Sequence, residues 1–320
     1  MIRVGLDIGS LTVKCIQIEK KKRKILGFGV QEILNGNVKE AVLRVAKEVN
    51  LKTKRVNISV CGPQVTTRFI PFPKLEPKEF KNSLRFEAEK YIPFGIEDVF
   101  LDGVILKEIE PDKVLALVVA AKKEFVHSKC NLVKDCGLEP DIVDIDSLCL
   151  CNLFNLTCES KDRVVGILNI STAYSNLVII EDEIPIFSRD ISIGSKLFID
   201  RLIEYFSIDF PTAQRLLSEP KDKLNQIAEV LLGEISNLTS EVRASFDYYE
   251  SRSGLSVERI YLCGGGSIFE GITSSLKDLL GIEIGSWDPL KSFSIDRSLD
   301  SERLNNLSKQ SYVALGLALR

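Results

Sequence analysis

Asp7-Ile8-Gly9-Ser10-Leu11-Thr12-Val13-Lys14 directly follows the apolar run 2–6, so a buried strand leads into a turn of small residues. Gly9 lets the backbone approach a ligand closely, and the N–H groups around Ser10 and Leu11 can point at phosphate oxygens. Lys14 offers positive charge, and Asp7 offers a carboxylate that can hold a hydrated Mg²⁺. The segment therefore predicts a phosphate-binding turn formed by Asp7, Gly9, Ser10, Leu11 and Lys14, with Mg²⁺ held by Asp7 through water.

Two later turns occupy similar positions. The strand pattern Val164–Asn169 leads into Ser171 and Thr172, and this echo begins 162 residues after Asp7 (169 minus 7). The strand pattern 259–263 leads into Gly264-Gly265-Gly266-Ser267 and then into a helix predicted over 268–280. Three glycines let the backbone lie against a base or a phosphate, and a helix N-terminus adds partial positive charge. Glycine runs also form plain tight turns, so this third turn predicts a nucleotide site only in combination with the first.

The repeated pattern predicts a duplicated α/β fold. Strands predicted over 2–8, 13–19 and 25–31 form a meander that recurs after residue 163, and in each copy helices and further strands follow. Two such halves form a cleft between them, which is the natural place for a nucleotide. We expect a first domain over 1–160, a second over 161–300 with a helical subdomain near 205–250, and a C-terminal helix over 301–320 that returns to the first domain.

A smaller β-α-β-β unit, predicted over about 64–120, is inserted into the first domain. Its helix opens at Pro77, a favoured first-turn residue, and closes at Pro93. One face of this helix is expected to carry Phe80, Leu84, Ala88 and Tyr91. At its end, Tyr91-Ile92-Pro93-Phe94 could supply an apolar pocket with a polar tip that binds a partner. The alternative is that these side chains fill the core of the small unit.

Composition excludes several classes of protein. The net charge of −3 gives no global reason to expect nucleic acid. No apolar run approaches the roughly 18–20 residues of a membrane span, and the start of the chain has the pattern of a strand rather than a signal peptide. The eight cysteines form no CxxC pair and only His127 could join them, which favours reduced core thiols over a metal site or a disulfide. A single histidine also argues against a mechanism that needs a histidine base. The charged run Lys20–Lys24 predicts a solvated hairpin tip, with contact to acidic lipid or a partner as the alternative.

These segments resemble the actin/Hsp70/sugar-kinase ATPase superfamily and, more closely, the PilM family of type IV pilus assembly proteins, relatives of the division protein FtsA. The likeness covers almost the whole chain. It is carried by 5–14, 86–94 (Phe-Glu-Ala-Glu-Lys-Tyr-Ile-Pro-Phe), 188–194 (Ser-Arg-Asp-Ile-Ser-Ile-Gly) and 315–320 (Leu-Gly-Leu-Ala-Leu-Arg).

The resemblance implies duplicated actin/Hsp70-like (ribonuclease H-like) domains with ATP or ADP and Mg²⁺ in the cleft. It also implies capture of the N-terminal cytoplasmic peptide of PilN, a single-span membrane protein, in a groove between the first large subdomain and the inserted one. Such a protein would be cytoplasmic and peripheral at the inner face of the plasma membrane.

Several positions depart from the superfamily pattern. The second phosphate turn of relatives carries Asp and Gly, where this chain has Asn169 and Ser171. Asparagine keeps the shape but loses the charge and is a poor base. Relatives hold the ribose and base with Glu and Lys, where this chain has Gln214 and Leu217. Asp146 is a candidate for the residue that orients water. We therefore expect nucleotide binding with hydrolysis that is very slow or absent.

The function predicted from the sequence is a nucleotide-binding adaptor of a type IV pilus or related secretion complex, at most a weak ATPase. One alternative is an active ATPase or kinase of the same fold, with Asp7 and Asp146 as catalytic candidates; the residues at 169 and 171 count against it. The other is an FtsA-like filament-forming membrane scaffold, against which the lack of a C-terminal amphipathic helix counts. We expect that the protein does not bind nucleic acid and that it reaches the membrane only through its partner. Self-association is left open.

Overall fold

The computed structural model describes residues 1–320, except for the side chain of Glu270. The strands are β1 (Ile2–Ile8), β2 (Thr12–Glu19), β3 (Lys24–Glu32), β4 (Arg55–Val60), β5 (Val65–Pro73), β6 (Val99–Glu110), β7 (Lys113–Lys122), β8 (Glu139–Ile145), β9 (Val164–Ile170), β10 (Ser175–Glu181), β11 (Ile184–Ile191), β12 (Arg259–Cys263), β13 (Glu283–Gly285) and β14 (Ser294–Ile295). The helices are α1 (Val38–Val49), α2 (Pro77–Ala88), α3 (Lys123–Asp135), α4 (Asp146–Thr157), α5 (Ser195–Phe206), α6 (Phe210–Ser218), α7 (Leu224–Ser253), α8 (Glu270–Leu280), α9 (Ser301–Leu307) and α10 (Tyr312–Ala318).

Two large sheets repeat one topology. The first sheet has the order β14-β3-β2-β1-β4-β8, and the second has the order β11-β10-β9-β12-β13. In each, an antiparallel meander is extended by two strands parallel to its first strand. All seven residues of β9 and all seven of β10 are buried, as expected for strands covered on both faces. The predicted duplication is therefore present.

The register of the meanders pairs the same positions in both halves. Asp7 lies opposite Lys14 across β1 and β2, and Asn169 lies opposite Asn176 across β9 and β10. The intervals match, since Asn169 follows Asp7 and Asn176 follows Lys14 by the same 162 residues (169 minus 7, 176 minus 14). A charged pair in the first half is thus replaced by an amide pair in the second.

The inserted unit is a three-stranded sheet with the order β5-β7-β6, covered on one face by α2. Phe80, Leu84 and Ala88 are buried in its core, as predicted. The expectation that Tyr91 continues this helical face is wrong, because α2 ends at Ala88. Beyond Ala88 the backbone forms turns, in which the N–H groups of Tyr91 and Ile92 both donate to the carbonyl oxygen of Ala88, at 2.9 and 3.1 Å.

The C-terminal helix α10 packs against β1 and α4. A Cβ on Gly5 would lie 1.9 Å from the carbonyl oxygen of Ala314, so only glycine allows this approach. The amide of Asn57 donates to the carbonyl oxygen of Leu317 at 2.9 Å, and Arg320 pairs with the buried Asp144 at 2.6 Å. The last helix therefore closes over the first sheet, while the exact domain bounds proposed above stay a prediction.

Candidate functional site

A cavity of about 770 Å³ is lined by residues of both halves. From the predicted site residues the lining includes Asp7, Gly9, Ser10, Leu11, Lys14, Asp146, Ser171, Thr172 and Gly265. The other four residues predicted for the nucleotide site, Asn169, Gly264, Gly266 and Ser267, are not part of the lining. All three turns picked out by the sequence therefore meet at one cavity.

In the first turn, Lys14 and Asp7 form an ion pair, so their charges offset each other. Lys14 Nζ lies 3.0 Å from Asp7 Oδ2, and both side chains are mostly buried. The N–H of Gly9 is used within the turn, where it donates to the carbonyl oxygen of Thr12 at 3.1 Å. Lys129 Nζ, from α3, donates to the carbonyl oxygen of Ile8 at 3.2 Å and adds a second cation to the cavity. An anion bound here would meet two lysines, one of them already shared with a carboxylate.

The second turn is held by an amide. Asn169 is 2% exposed, and its Nδ2 donates to Ser171 Oγ at 3.1 Å and to Asn176 Oδ1 at 2.8 Å. The start of α5 is fixed to the same turn, since Ser195 N–H donates to the carbonyl oxygen of Ser171 at 2.9 Å. Asn169 therefore shapes the turn from behind, and Ser171 and Thr172 face the cavity.

The turn 264–267 packs against the second turn and also contributes to the cavity lining. Gly264 has a φ of +87°, and a Cβ there would lie 2.5 Å from Asn169 Oδ1. A Cβ on Gly266 would lie 2.4 Å from Ile170 Cγ2, and Ser267 Oγ donates to the carbonyl oxygen of Gly264 at 2.8 Å. The expected helix over 268–280 is wrong at its start: a 3₁₀ turn follows the first glycine and α8 begins at Glu270. The glycines thus let the third turn pack on the second, and Gly265 alone of the three lines the cavity.

Asp146, at the start of α4, faces Asp7 inside the cavity wall. Burial raises the pKa of Asp146 to about 6, repulsion from the Asp7 and Asp190 carboxylates adds to this, and hydrogen bonds with Ser59 and Cys61 oppose it. The same surroundings, burial first and then the charge of Asp146, raise the pKa of the Cys61 thiol. Asp146 therefore lies in a position where a neighbouring cation would stabilise its ionised form.

A chain of polar contacts joins the halves beside the cavity. Asp190 Oδ1 accepts from Asn176 Nδ2 at 2.6 Å, and Asp190 Oδ2 accepts from the N–H of Gly62 at 2.5 Å. Since Asn176 also bonds Asn169, these contacts run from the second turn to the residues just after β4. The motif 188–194 stood out in the sequence without a role, and this contact gives Asp190 one.

Sequence reasoning missed several lining residues. Ser59 and Cys61 lie at the carboxyl end of β4, where the rule for clefts of parallel sheets could have found them. Tyr174, Asn306 and Gln310 also line the cavity, and no sequence pattern marks them. Gln214 and Leu217, noted as departures from relatives, do reach the lining.

The model of the family "Type IV pilus assembly protein PilM" matches residues 5–320 of the chain. The chain belongs to the PilM family. It is 27% identical to a chain of a solved "PilM-PilN type IV pilus biogenesis complex", with a TM-score of 0.88 over 99% of this chain and 98% of that one. The family recognised from the sequence is thus confirmed.

More distant structures share the fold of this PilM-family chain. The ethanolamine utilization protein EutJ from Carboxydothermus hydrogenoformans has 12% identity and a TM-score of 0.60, over 100% of this chain and 89% of that one. MreB5 of Spiroplasma citri, solved bound to ADP, has 12% identity and a TM-score of 0.52, over 98% and 94%. These similarities confirm the predicted fold class.

The segment predicted to bind a partner in this PilM-family chain has mixed exposure. Tyr91 is 41% exposed and Pro93 is exposed, whereas Ile92 is buried in the core of the small unit and Phe94 is partly buried. Lys122 Nζ lies over the Phe94 ring, 5.0 Å from its centroid, at the junction of β7 and α3. The alternative noted above, a core role, holds for Ile92.

The described residues of the chain include no helix that is both long and apolar enough to cross a membrane.

Proposed function

We propose that this PilM-family chain is an adaptor at the inner face of the plasma membrane that holds ATP or ADP with Mg²⁺ in its cleft. In this proposal it captures the cytoplasmic N-terminal peptide of a PilN-like protein and hydrolyses nucleotide very slowly or not at all. The observation that carries the nucleotide part is the convergence of three phosphate-type turns on one cavity. Its volume of about 770 Å³ is within the range of small-molecule sites.

The donor set fits a nucleotide with a divalent cation. Lys14 and Lys129 supply positive charge, and Ser10, Ser171 and Thr172 supply hydroxyl and backbone groups at the lining. Burial raises the pKa of Asp146 and repulsion from the neighbouring Asp7 carboxylate adds to this, and a hydrated Mg²⁺ would relieve that repulsion. When bound, the cation would supply charge neutralisation for the phosphates.

Slow hydrolysis is supported by the second turn. Asn169 stands where Asp7 stands in the other half, is neutral, and spends its Nδ2 on Ser171 and Asn176. It therefore offers neither a negative charge for the hydration shell of Mg²⁺ nor a base for water. Loss of such a group lowers the rate of hydrolysis by ~10²–10⁴-fold.

The nucleotide part is tested by equilibrium titration of a fluorescent ATP analogue with Mg²⁺. Asp7→Ala should weaken binding, because the cation loses its carboxylate, whereas Asp162→Ala, which removes an acid paired with Arg259 at 2.6 Å outside the cavity, should leave it unchanged. Undetectable binding by the unaltered chain would overturn the proposal.

One observation favours an active ATPase as a second candidate. The raised pKa of Asp146, about 6, puts it close to the value at which a general base works well near neutral pH. If Asp146 activates water, Asp146→Asn should remove steady-state phosphate release while leaving nucleotide affinity within a few fold. If turnover is equally low in both proteins, this candidate fails.

The partner part is tested with a synthetic peptide of the partner's cytoplasmic tail, titrated with and without Mg-ATP. Tyr91→Ala should weaken binding by roughly tenfold or more, the size expected for an aromatic anchor. Tyr205→Ala is the matched control, because Tyr205 is an exposed tyrosine on α5 in the other half. An equal effect of both variants, or no binding with or without nucleotide, would contradict the proposal.

A further inference from the structure

Positive charge is concentrated at the end of the first sheet that lies opposite the cavity. The turn between β2 and β3 carries the exposed side chains of Lys20, Lys21 and Arg23, and the loop before β4 carries those of Lys52 and Lys54. We call these five residues the basic end. The cavity lies at the other end of β1, roughly 20 Å away along the strand.

The two segments of the basic end are fixed next to each other by the backbone. Lys20 N–H donates to the carbonyl oxygen of Met1 at 3.0 Å, which places the turn at the start of β1. Lys52 N–H donates to Gln17 Oε1 at 2.7 Å, which places the loop beside β2. Because β2 and β4 flank β1 in the sheet, the segments lie about 10 Å apart and form one patch.

Acidic side chains around this patch are matched by other basic residues. The ion pairs are Lys22–Glu19 at 2.9 Å, Lys24–Asp296 at 2.7 Å, Arg3–Asp141 at 3.0 Å and Arg55–Glu139 at 3.9 Å. The five residues of the basic end therefore add an excess of positive charge to one surface of a chain whose net charge is −3.

We propose that the basic end rests on the anionic headgroups of a lipid bilayer. A cluster of about four to eight Lys and Arg residues is the size that anionic leaflets attract. A bilayer is favoured over nucleic acid because the proposed partner holds the chain at a membrane surface, where the basic end meets anionic headgroups at high local concentration. The contact of the basic end with lipid is weak by itself, so membrane attachment still comes through the partner. The basic end then orients a chain that the partner already holds near the membrane.

The choice of a membrane draws on the proposed function, but the test does not depend on it. The full chain is mixed with vesicles of phosphatidylglycerol and phosphatidylcholine, or of phosphatidylcholine alone, and binding is measured by flotation. Half of the chain should bind at about 1 mM anionic lipid in low salt. Binding should disappear on neutral vesicles and at about 0.5 M salt.

Two charge-matched variants locate the contact. The triple variant Lys20→Glu, Lys21→Glu and Lys54→Glu should lower the affinity for anionic vesicles by about 100-fold or more. The control, Lys161→Glu, Lys221→Glu and Lys223→Glu, changes the net charge equally at exposed lysines of the other half, and should stay within about threefold of the unaltered chain.

The proposal is overturned if both triple variants lose binding equally, or if the unaltered chain binds neutral vesicles as well as anionic ones. It is also overturned if duplex DNA binds the basic end more tightly than vesicles do. Peptide titration separates the two proposals: both variants should bind the partner peptide normally, and failure of the unaltered chain to bind peptide would count against the adaptor proposal alone.

Discussion

Asp146→Asn should stabilise the chain in the absence of nucleotide. The pKa of Asp146 rises from 3.8 to about 6 on folding, mainly through burial and then through repulsion from Asp7. This difference corresponds to about 3 kcal/mol of unfolding free energy. Asparagine loses a carboxylate at the first turn of α4, which costs up to about 1 kcal/mol, so the net gain above pH 7 should be about 2 kcal/mol.

The pH dependence gives the sign of the effect. Because the folded-state pKa is raised, the protonated carboxyl favours the folded chain, and this contribution is fully present below pH 3.8 and lost as pH rises through about 6. The stability difference between variant and unaltered chain should therefore be largest near pH 8 and shrink towards pH 4. Urea unfolding at a series of pH values measures it.

An opposite-sign control is available in Asp162→Asn. The hydrogen bond from Arg259 lowers the pKa of Asp162, so this variant should be less stable than the unaltered chain near neutral pH, with the loss fading as pH falls. A raised pKa of buried Asp146 is ruled out if Asp146→Asn is no more stable than the unaltered chain at pH 8, or if its gain in stability does not vary with pH.

Three other substitutions test packing, the second turn and the contact between halves. Gly5→Ala should lower the free energy of unfolding by about 1–3 kcal/mol, because its Cβ would overlap a carbonyl oxygen of α10. The control Gly233→Ala has open space around it in α7 and should raise the free energy of unfolding by up to about 1 kcal/mol. Urea unfolding measures both. Asn169→Asp should destabilise by about 1–3 kcal/mol, because a carboxylate cannot replace the two hydrogen bonds that Nδ2 donates; a thermal melt as high as that of the unaltered chain would contradict this. Asp190→Ala should speed release of a bound fluorescent nucleotide by about tenfold, since the N–H of Gly62 loses its acceptor across the cleft, and unchanged release in stopped flow would count against the contact.

Periodicity was enough to predict most of the fold. The meander pattern predicted the three antiparallel strands with which each large sheet begins. The errors occur where local and longer-range preferences compete. At the end of α2, turns that share the carbonyl oxygen of Ala88 replace the expected last helical turn. The late start of α8 depends on packing of the glycine turn against Ile170.

Residues of the candidate site that lie at strand ends could be predicted from the sequence. Residues whose role depends on hydrogen bonds to distant parts of the chain could not. Asp7 lies at the end of β1, Ser171 and Gly265 come within two residues of the ends of β9 and β12, and all three reach the cavity. The difference between lining and supporting residues, such as Asn169, follows from side-chain direction and hydrogen bonding that a pattern does not encode. The contact of Asp190 with Gly62 joins residues 128 positions apart in sequence and required the three-dimensional structure.

Whether the cleft binds a nucleotide without hydrolysing it can be measured by following radiolabelled ATP with Mg²⁺ on the purified chain. We expect the bound label to stay as ATP, with turnover below about 0.01 per second, well under the ~1–100 per second of ordinary kinases. Turnover of about 1 per second or more, abolished by Asp7→Ala, would contradict this expectation.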